Sequence, residues 1–305
     1  MFINNFSTCQ ETHGMTIHNV SPVRGGDSFL FVCNDVTFLY DTGFGYCSEV
    51  LYENVRKVLG ERPLDYILLT HSHYDHALGS AYLSVMYPEV KIVALSYAAK
   101  ILEKESARNV MRRLNKDAAL THGITEFNDY IDHLHANMPV EDNDLIMLGS
   151  HKVRIVSLPG HTRDTIAYYF EDEKIMLGTE TLGMYVADGL VMPSFLVGYQ
   201  MSLDSIEKVK DYDIDAYFIP HWGLIEGEDV NTFFADSLKG HILGHDTIVN
   251  AYKEGKTHEE IFKIFEDLFY TPTVTEVYPF SAFAENTNIQ IPMVLREEGL
   301  LKLEK

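Results

Sequence analysis

The chain has 305 residues, 46% of them apolar and 23% charged, enough to bury a sizeable core as one large α/β domain or two smaller ones. Acidic residues outnumber basic ones 45 to 24, for a formal charge of −21. That excess repels a phosphate backbone and argues against nucleic acid as substrate or partner. No apolar run approaches membrane-spanning length, and Met1-Phe2-Ile3-Asn4-Asn5 lacks the basic and apolar regions of a signal peptide. The three cysteines, Cys9, Cys33 and Cys47, form no C-x-x-C pair and read as reduced thiols, so a cytoplasmic protein with no membrane partner is expected.

Residues 1 to 47 read as short strands: Met15 to Val20, Phe29 to Cys33 and Val36 to Tyr40. The third ends in Asp41-Thr42-Gly43-Phe44-Gly45, where the glycines permit a tight turn and the aspartate can orient neighbouring loops. Ser48 is expected to cap a helix whose Val50, Leu51, Val55, Val58 and Leu59 recur at helical spacing, ended by Gly60 and Pro63. The apolar run Tyr66 to Thr70 then delivers His71-Ser72-His73-Tyr74-Asp75-His76. Imidazole nitrogen and carboxylate oxygen are ligands that zinc, iron and manganese share. In a still-extended backbone His71 and His73 project to one side, while Asp75 and His76 lie past the turn and can face a second ion.

Gly79 to Met86 reads as a short helix and Val90 to Leu95 as a strand. Tyr97 to about Ala119 is a long charged helical stretch, and Thr121 to Pro139 is polar and aromatic. Residues 96–139 are thus expected to form a helical insertion over the metal face, with His122, His133 and His135 as surface groups. His151 to Leu158 is a strand ending in Pro159-Gly160-His161-Thr162. Strands Ile166 to Phe170 and Lys174 to Leu177 follow, the second ending in Gly178-Thr179-Glu180-Thr181. The segment Leu182 to Tyr199 reads as a loop whose Tyr185, Met192, Phe195 and Tyr199 would line an apolar substrate pocket.

Ser202 is expected to cap a helix to about Lys210, and Ala216 to Ile219 to be the last strand, ending in Pro220-His221-Trp222-Gly223. From Glu228 the pattern is helical: Val230 to about Tyr252, Thr257 to Leu268 with Thr257 and Glu260 as a capping box, and Asn286 to Leu303. His241 and His245 stand four apart on one helix face without the glutamate of a zincin, and read as capping or packing groups. Apolar faces in this tail can pair two subunits as a homodimer.

Four strand ends therefore carry metal-capable donors: His71, His73, Asp75 and His76; His161; Glu180; and His221. Strands of a layered sheet can bring them to one edge. The H-x-H-x-D-H loop, Pro159-Gly160-His161-Thr162 and the strand-end His221 resemble the metallo-β-lactamase superfamily over about residues 15 to 225. The resemblance implies an α/β fold, an αββα sandwich, as a catalytic domain of residues 1–227 with the insertion, followed by a helical C-terminal extension over 228–305. It assigns His71, His73 and His161 to one divalent ion and Asp75, His76 and His221 to a second, zinc or iron, with manganese as a further choice. Glu180 stands where the family has a bridging aspartate, and its extra methylene means that it either folds back to bridge the ions or binds one of them only and changes their spacing. Glu105-Ser106-Ala107-Arg108 through Arg113-Leu114-Asn115 is further similar to the insertion of the quinolone-signal response thioesterase branch.

The function implied is hydrolysis of a small-molecule ester, thioester or lactone by a hydroxide held between two ions, with Asp75 accepting or relaying a proton. Alternatives are a small-molecule phosphodiesterase and a regulatory protein with a structural metal centre. A di-iron reductase is disfavoured because His73 stands where that branch has glutamate.

Overall fold

The computed structural model describes residues 9–275 and 279–301. The leaderless start expected at residues 1–5, and residues 302 and 303 of the last expected helix, lie outside them. The described residues divide into two compact units, one of 9–156 with 166–173, the other of 157–165 with 174–275 and 279–301.

The first unit opens with an antiparallel run, β1 (Cys9–Thr12), β2 (Met15–Asn19), β3 (Phe29–Val32) and β4 (Thr37–Tyr40). After β4 the sheet turns parallel, and each new strand needs a helical crossover. Helix α1 (Ser48–Leu59) leads to β5 (Tyr66–Leu68); α2 (Tyr74–Ala77) and α3 (Gly79–Met86) lead to β6 (Lys91–Leu95); α4 (Ser96–Leu102) and α5 (Glu105–Thr121) lead to β7 (Met138–Val140). The order is sequential from β1 to β7. Ser48 is the first helical residue of α1 rather than its side-chain cap, since no cap hydrogen bond forms at Cys47. The single charged helix expected over 97–119 breaks at Glu103 and Lys104 into α4 and α5, the break held by Arg108 Nε donating to Leu102 O.

Strands β8 (Leu145–Leu148), β9 (His151–Ser157) and β10 (Ile166–Phe170) complete this unit. All of β10 is buried, whereas β8 alternates, with Leu145 and Met147 out and Ile146 and Leu148 in, as an edge strand with one wet face does. Tyr168 of β10 donates its hydroxyl to Leu69 O at 2.7 Å, and Phe170 stacks on Phe38 of β4 with centroids 5.4 Å apart. These contacts pack one sheet face on the other, the αββα layering within this unit.

The second unit contains β11 (Ile175–Leu177), then a hairpin, β12 (Met184–Ala187) and β13 (Leu190–Met192), where a loop was expected. Helix α6 (Tyr199–Val209) starts three residues before the expected cap Ser202, which is buried and bonds back to Gly198 O. Strand β14 (Ala216–Ile219) runs parallel to β11 and is not the last: β15 (Gly223–Glu226) returns antiparallel to it. The rest is helical: α7 (Glu228–Lys253), α8 (His258–Phe269) with the Thr257/Glu260 capping box in place, α9 (Pro272–Thr275) and α10 (Phe280–Glu297). Gly240 lets α7 lie directly on β13, because a Cβ there would come 2.1 Å from Val191 O. Phe265, Phe269, Phe283 and Ile291 of the tail close a core with Val186 and Met192 of the hairpin. No helix among the described residues is long and apolar enough to cross a membrane.

Candidate metal centre

In the first unit the histidine loop leaves β5 through Leu69 and Thr70 and stays extended to His73, which has φ −66° and ψ 150°. Helix α2 then carries Asp75 and His76. The loop packs three imidazoles together, His71 with centroids 4.6 Å from His73 and 4.3 Å from His76. His71 and His76 are buried, and His73 and Asp75 half-buried. His71 and His73 offer nitrogens within 4.8 Å of one another, and so do Asp75 and His76 with an oxygen and a nitrogen.

Asp41 organises this loop. It sits at φ +50°, a left-handed conformation that aspartate tolerates, which turns the chain out of β4. Its Oδ1 accepts the Thr70 amide at 2.8 Å, and its Oδ2 accepts the Thr70 hydroxyl and the His76 Nδ1–H, both at 2.8 Å. With its own proton given to Asp41, the Thr70 hydroxyl accepts from His71 Nδ1 at 2.9 Å. Both rings thus carry hydrogen on Nδ1 and present their lone pair at Nε2, the tautomer a metal ligand needs.

Helix α5 of the expected insertion packs directly on α2, and Tyr74 joins Phe44, Tyr46, Cys47 and Ala119 in one apolar cluster. Asn115 of α5 accepts the Tyr46 amide at 3.1 Å. Among the insertion histidines, His122 lies 2.9 Å from the Tyr46 hydroxyl and 3.0 Å from Ala118 O, and His135 bonds to His133 O.

In the second unit the donors come from three loops. His161 follows Gly160, Glu180 opens a single 3-10 turn after β11, and His221 stands at φ +60° in the tight turn between β14 and β15. Glu180 lies between the two imidazoles: Oε2 is 2.7 Å from His161 Nε2 and Oε1 is 3.1 Å from His221 Nε2. All three side chains are buried. The His161 Nδ1 lies 3.0 Å from the carbonyl of Ser194, to which it must donate, and 2.8 Å from the Ser194 hydroxyl. A neutral ring so held has its lone pair on Nε2, facing a carboxylate oxygen at 2.7 Å. Two lone pairs at that distance repel, and a shared proton or a metal ion bound by both relieves the repulsion. Two imidazoles and a carboxylate are donors of the kind zinc, iron and manganese take.

Of the residues expected to line a substrate pocket, Phe195 and Met192 are buried in the core of the helical tail. Tyr199 stacks on His245 with centroids 4.1 Å apart. Tyr185 is half-buried, with its ring 6.4 Å from that of Trp222 and 5.3 Å from that of Phe233. Burial and the charges of Asp236 and Asp229 push its phenol pKa well up. His241 is wholly buried, and His245 lies between Asp246 and Glu298. Thr70, Thr181 and Ser194 hold the donor-bearing loops in roles the sequence does not mark; hydroxyl residues are common and carry no signal until the loops are placed.

The metallo-beta-lactamase superfamily matches residues 21–221, about two thirds of the chain, and the protein belongs to that superfamily. A stretch of 114 residues is 32% identical to glyoxylase B2 of Dictyostelium discoideum, covering 37% of this chain and 34% of that protein. A stretch of 117 residues is 29% identical to a hydroxyacylglutathione hydrolase of Rhodopseudomonas palustris, covering 38% and 33%. The chain thus spans about a third of the length of these curated relatives. In fold it is similar to a beta-lactamase domain protein from Burkholderia ambifaria, with a TM-score of 0.65 over 95% of this chain and 88% of that one, at 14% identity. The fold is the α/β metallo-beta-lactamase fold with a C-terminal helical extension.

Proposed function

We propose that this protein is a metal-dependent hydrolase acting on a small-molecule ester or lactone, with a thioester as the first substrate class to test. In this reading the family resemblance assigns His71, His73 and His161 to one ion and Asp75, His76 and His221 to the other, with Glu180 as the bridging carboxylate. Residues 1–227 form the catalytic body, and 228–305 the helical extension. The observation that carries the reading is the Glu180 carboxylate, whose two oxygens reach one imidazole of each set at 2.7 and 3.1 Å. The extra methylene of glutamate is therefore compatible with bridging. Similarity to a glyoxylase and to a hydroxyacylglutathione hydrolase supports a thioester.

Divalent ions bound by these donors supply Lewis acidity toward the substrate oxygen and bring the pKa of a bound water to about 7. The chain does the rest. Asp41, Thr70 and Ser194 fix the tautomers of His76, His71 and His161, so that no ring reorients during turnover. Asp75, half-buried and 3.8 Å from His76 Nε2 through Oδ2, would hold an ion and serve as proton acceptor and relay in this reading.

The test is a panel of acyl-CoA thioesters, p-nitrophenyl esters and bis-p-nitrophenyl phosphate, run on protein loaded with Zn²⁺, Mn²⁺ or Fe²⁺. Thioester or ester turnover that disappears with chelator is expected, and His73→Ala and His161→Ala should lose metal and activity together. Absence of turnover with every metal, or a fully active metal-free variant, overturns the reading.

A further inference from the structure

Beyond the donors themselves, the Glu180 turn is held by a helix outside the span that matches the superfamily. Ser237 and His241 lie one turn apart on α7, and each meets a backbone carbonyl of that turn. Ser237 Oγ donates to Leu182 O at 2.6 Å, and His241 Nε2 lies 3.0 Å from Thr181 O. Those carbonyls belong to the two residues that follow Glu180. The turn closes through Gly183 N donating to Glu180 O at 2.9 Å.

Thr181 connects this turn to the His161 loop. Its hydroxyl donates to Leu158 O at 2.7 Å and accepts the His161 amide at 3.2 Å. A displacement of Thr181 therefore moves Glu180 and His161 together.

His241 is wholly buried, and its ring lies 5.5 Å from that of Phe195. Its Nδ1 is 2.8 Å from Ser237 O, so a carbonyl faces each ring nitrogen. Burial pushes its pKa down to about 4, so at neutral pH the ring has one N–H to give. Ser237 O is four residues back in α7 and already accepts the helix N–H of residue 241, whereas Thr181 O lies in a turn. The Nε2–H tautomer is the one that leaves neither carbonyl without a donor.

We infer that His241, assisted by Ser237, is a positioning residue: through Thr181 it sets the spacing of the His161 and Glu180 donors and hence how tightly metal is held. This rests on reading His161 and Glu180 as ligands. A buried histidine serving only as packing makes a different prediction, because an apolar side chain of similar size would then leave metal affinity unchanged.

The experiment compares the full-length wild type with Ser237→Ala, His241→Gln and His241→Leu. It reads Zn²⁺ retained per chain against graded chelator, and the thermal midpoint of each metal-free form. Loss of a group that orients a ligand lowers metal affinity by about 10- to 100-fold. His241→Leu is expected in that range and Ser237→Ala below it. His241→Gln, whose amide can still donate to Thr181 O, should recover most of the affinity. Metal-free midpoints should not follow this order. Variants that hold zinc as tightly as wild type overturn the inference, and so do affinity losses that track the metal-free midpoints. If His241→Leu does not fold, undiminished zinc affinity in Ser237→Ala overturns it. A wild type that retains no zinc fails differently: it removes the ligand assignment, and the inference with it.

Discussion

Asp41 shows how one side chain can settle several. Its two oxygens accept three hydrogen bonds, and the Thr70 hydroxyl passes the constraint on to His71. The two imidazoles of the first unit that are wholly buried are thereby oriented by a single carboxylate. His241 plays a comparable part in the second unit with the opposite charge logic, because it is buried without a carboxylate partner among its hydrogen bonds and is kept neutral. Its pKa falls from the model-compound value of 6.5 to about 4 on folding. Between those values the unfolded chain binds the proton and the folded chain does not, so stability is fully present above about pH 6.5 and is lost as pH falls toward 4. The shift corresponds to roughly 3 kcal/mol at most. Metal-free wild type and His241→Gln, unfolded in denaturant from pH 7.5 to 4.5, should differ in slope. The wild type should lose stability more steeply below pH 6.5, and parallel curves would show that His241 takes no proton on unfolding.

At the scale of elements, the close approach of α7 to β13 makes a sharp prediction. Gly240→Ala would put a Cβ 2.1 Å from the backbone oxygen of Val191, which cannot swing aside, so the helix must move. The expected cost is about 1–3 kcal/mol, read as a lower denaturation midpoint with an unchanged denaturant slope. A midpoint equal to wild type would mean that α7 does not lie where described. The fully buried strands β4 and β10 and the amphipathic α1 and α8 were legible, since burial and periodicity leave direct marks in composition. The hairpin β12–β13 was legible too but went unread, because Ala187-Asp188-Gly189-Leu190 carries the Asp-Gly turn signal. For α10, Pro279 before the first turn and Gly299 after the last mark the observed limits better than apolar spacing did. The break between α4 and α5 has neither Pro nor Gly and depends on Arg108 and Lys104 bonding back to the preceding helix, which no local pattern announces. The candidate site divides the same way. Donors at strand ends are visible as residue types, but Ser194, Thr181 and His241 acquire their roles only from tertiary placement.

For the molecule as a whole, the formal charge of −21 bears on stability with and without metal. Self-repulsion opposes the compact state, and carboxylates among the donors, Glu180 and Asp75, add to it. Two divalent ions bound only by the folded form would act in two ways. They offset four of those charges, and they stabilise by mass action, by about 2.7 kcal/mol for each ion and roughly 5 kcal/mol for the two, at a free concentration a hundred times each dissociation constant. For a chain of this size that corresponds to a rise of roughly 5–10 °C in thermal midpoint. Stripping with chelator should lower the midpoint by that amount, and returning Zn²⁺, Mn²⁺ or Fe²⁺ should restore it. Salt separates the two contributions. Screening relieves general repulsion, so raising ionic strength should lift the metal-free midpoint more than the loaded one. The remaining difference at high salt is the mass-action part, and it should vanish in His73→Ala and His161→Ala. If chelation leaves the midpoint unchanged at every salt concentration, the donors do not hold ions in the folded protein and the hydrolase reading loses its chemistry.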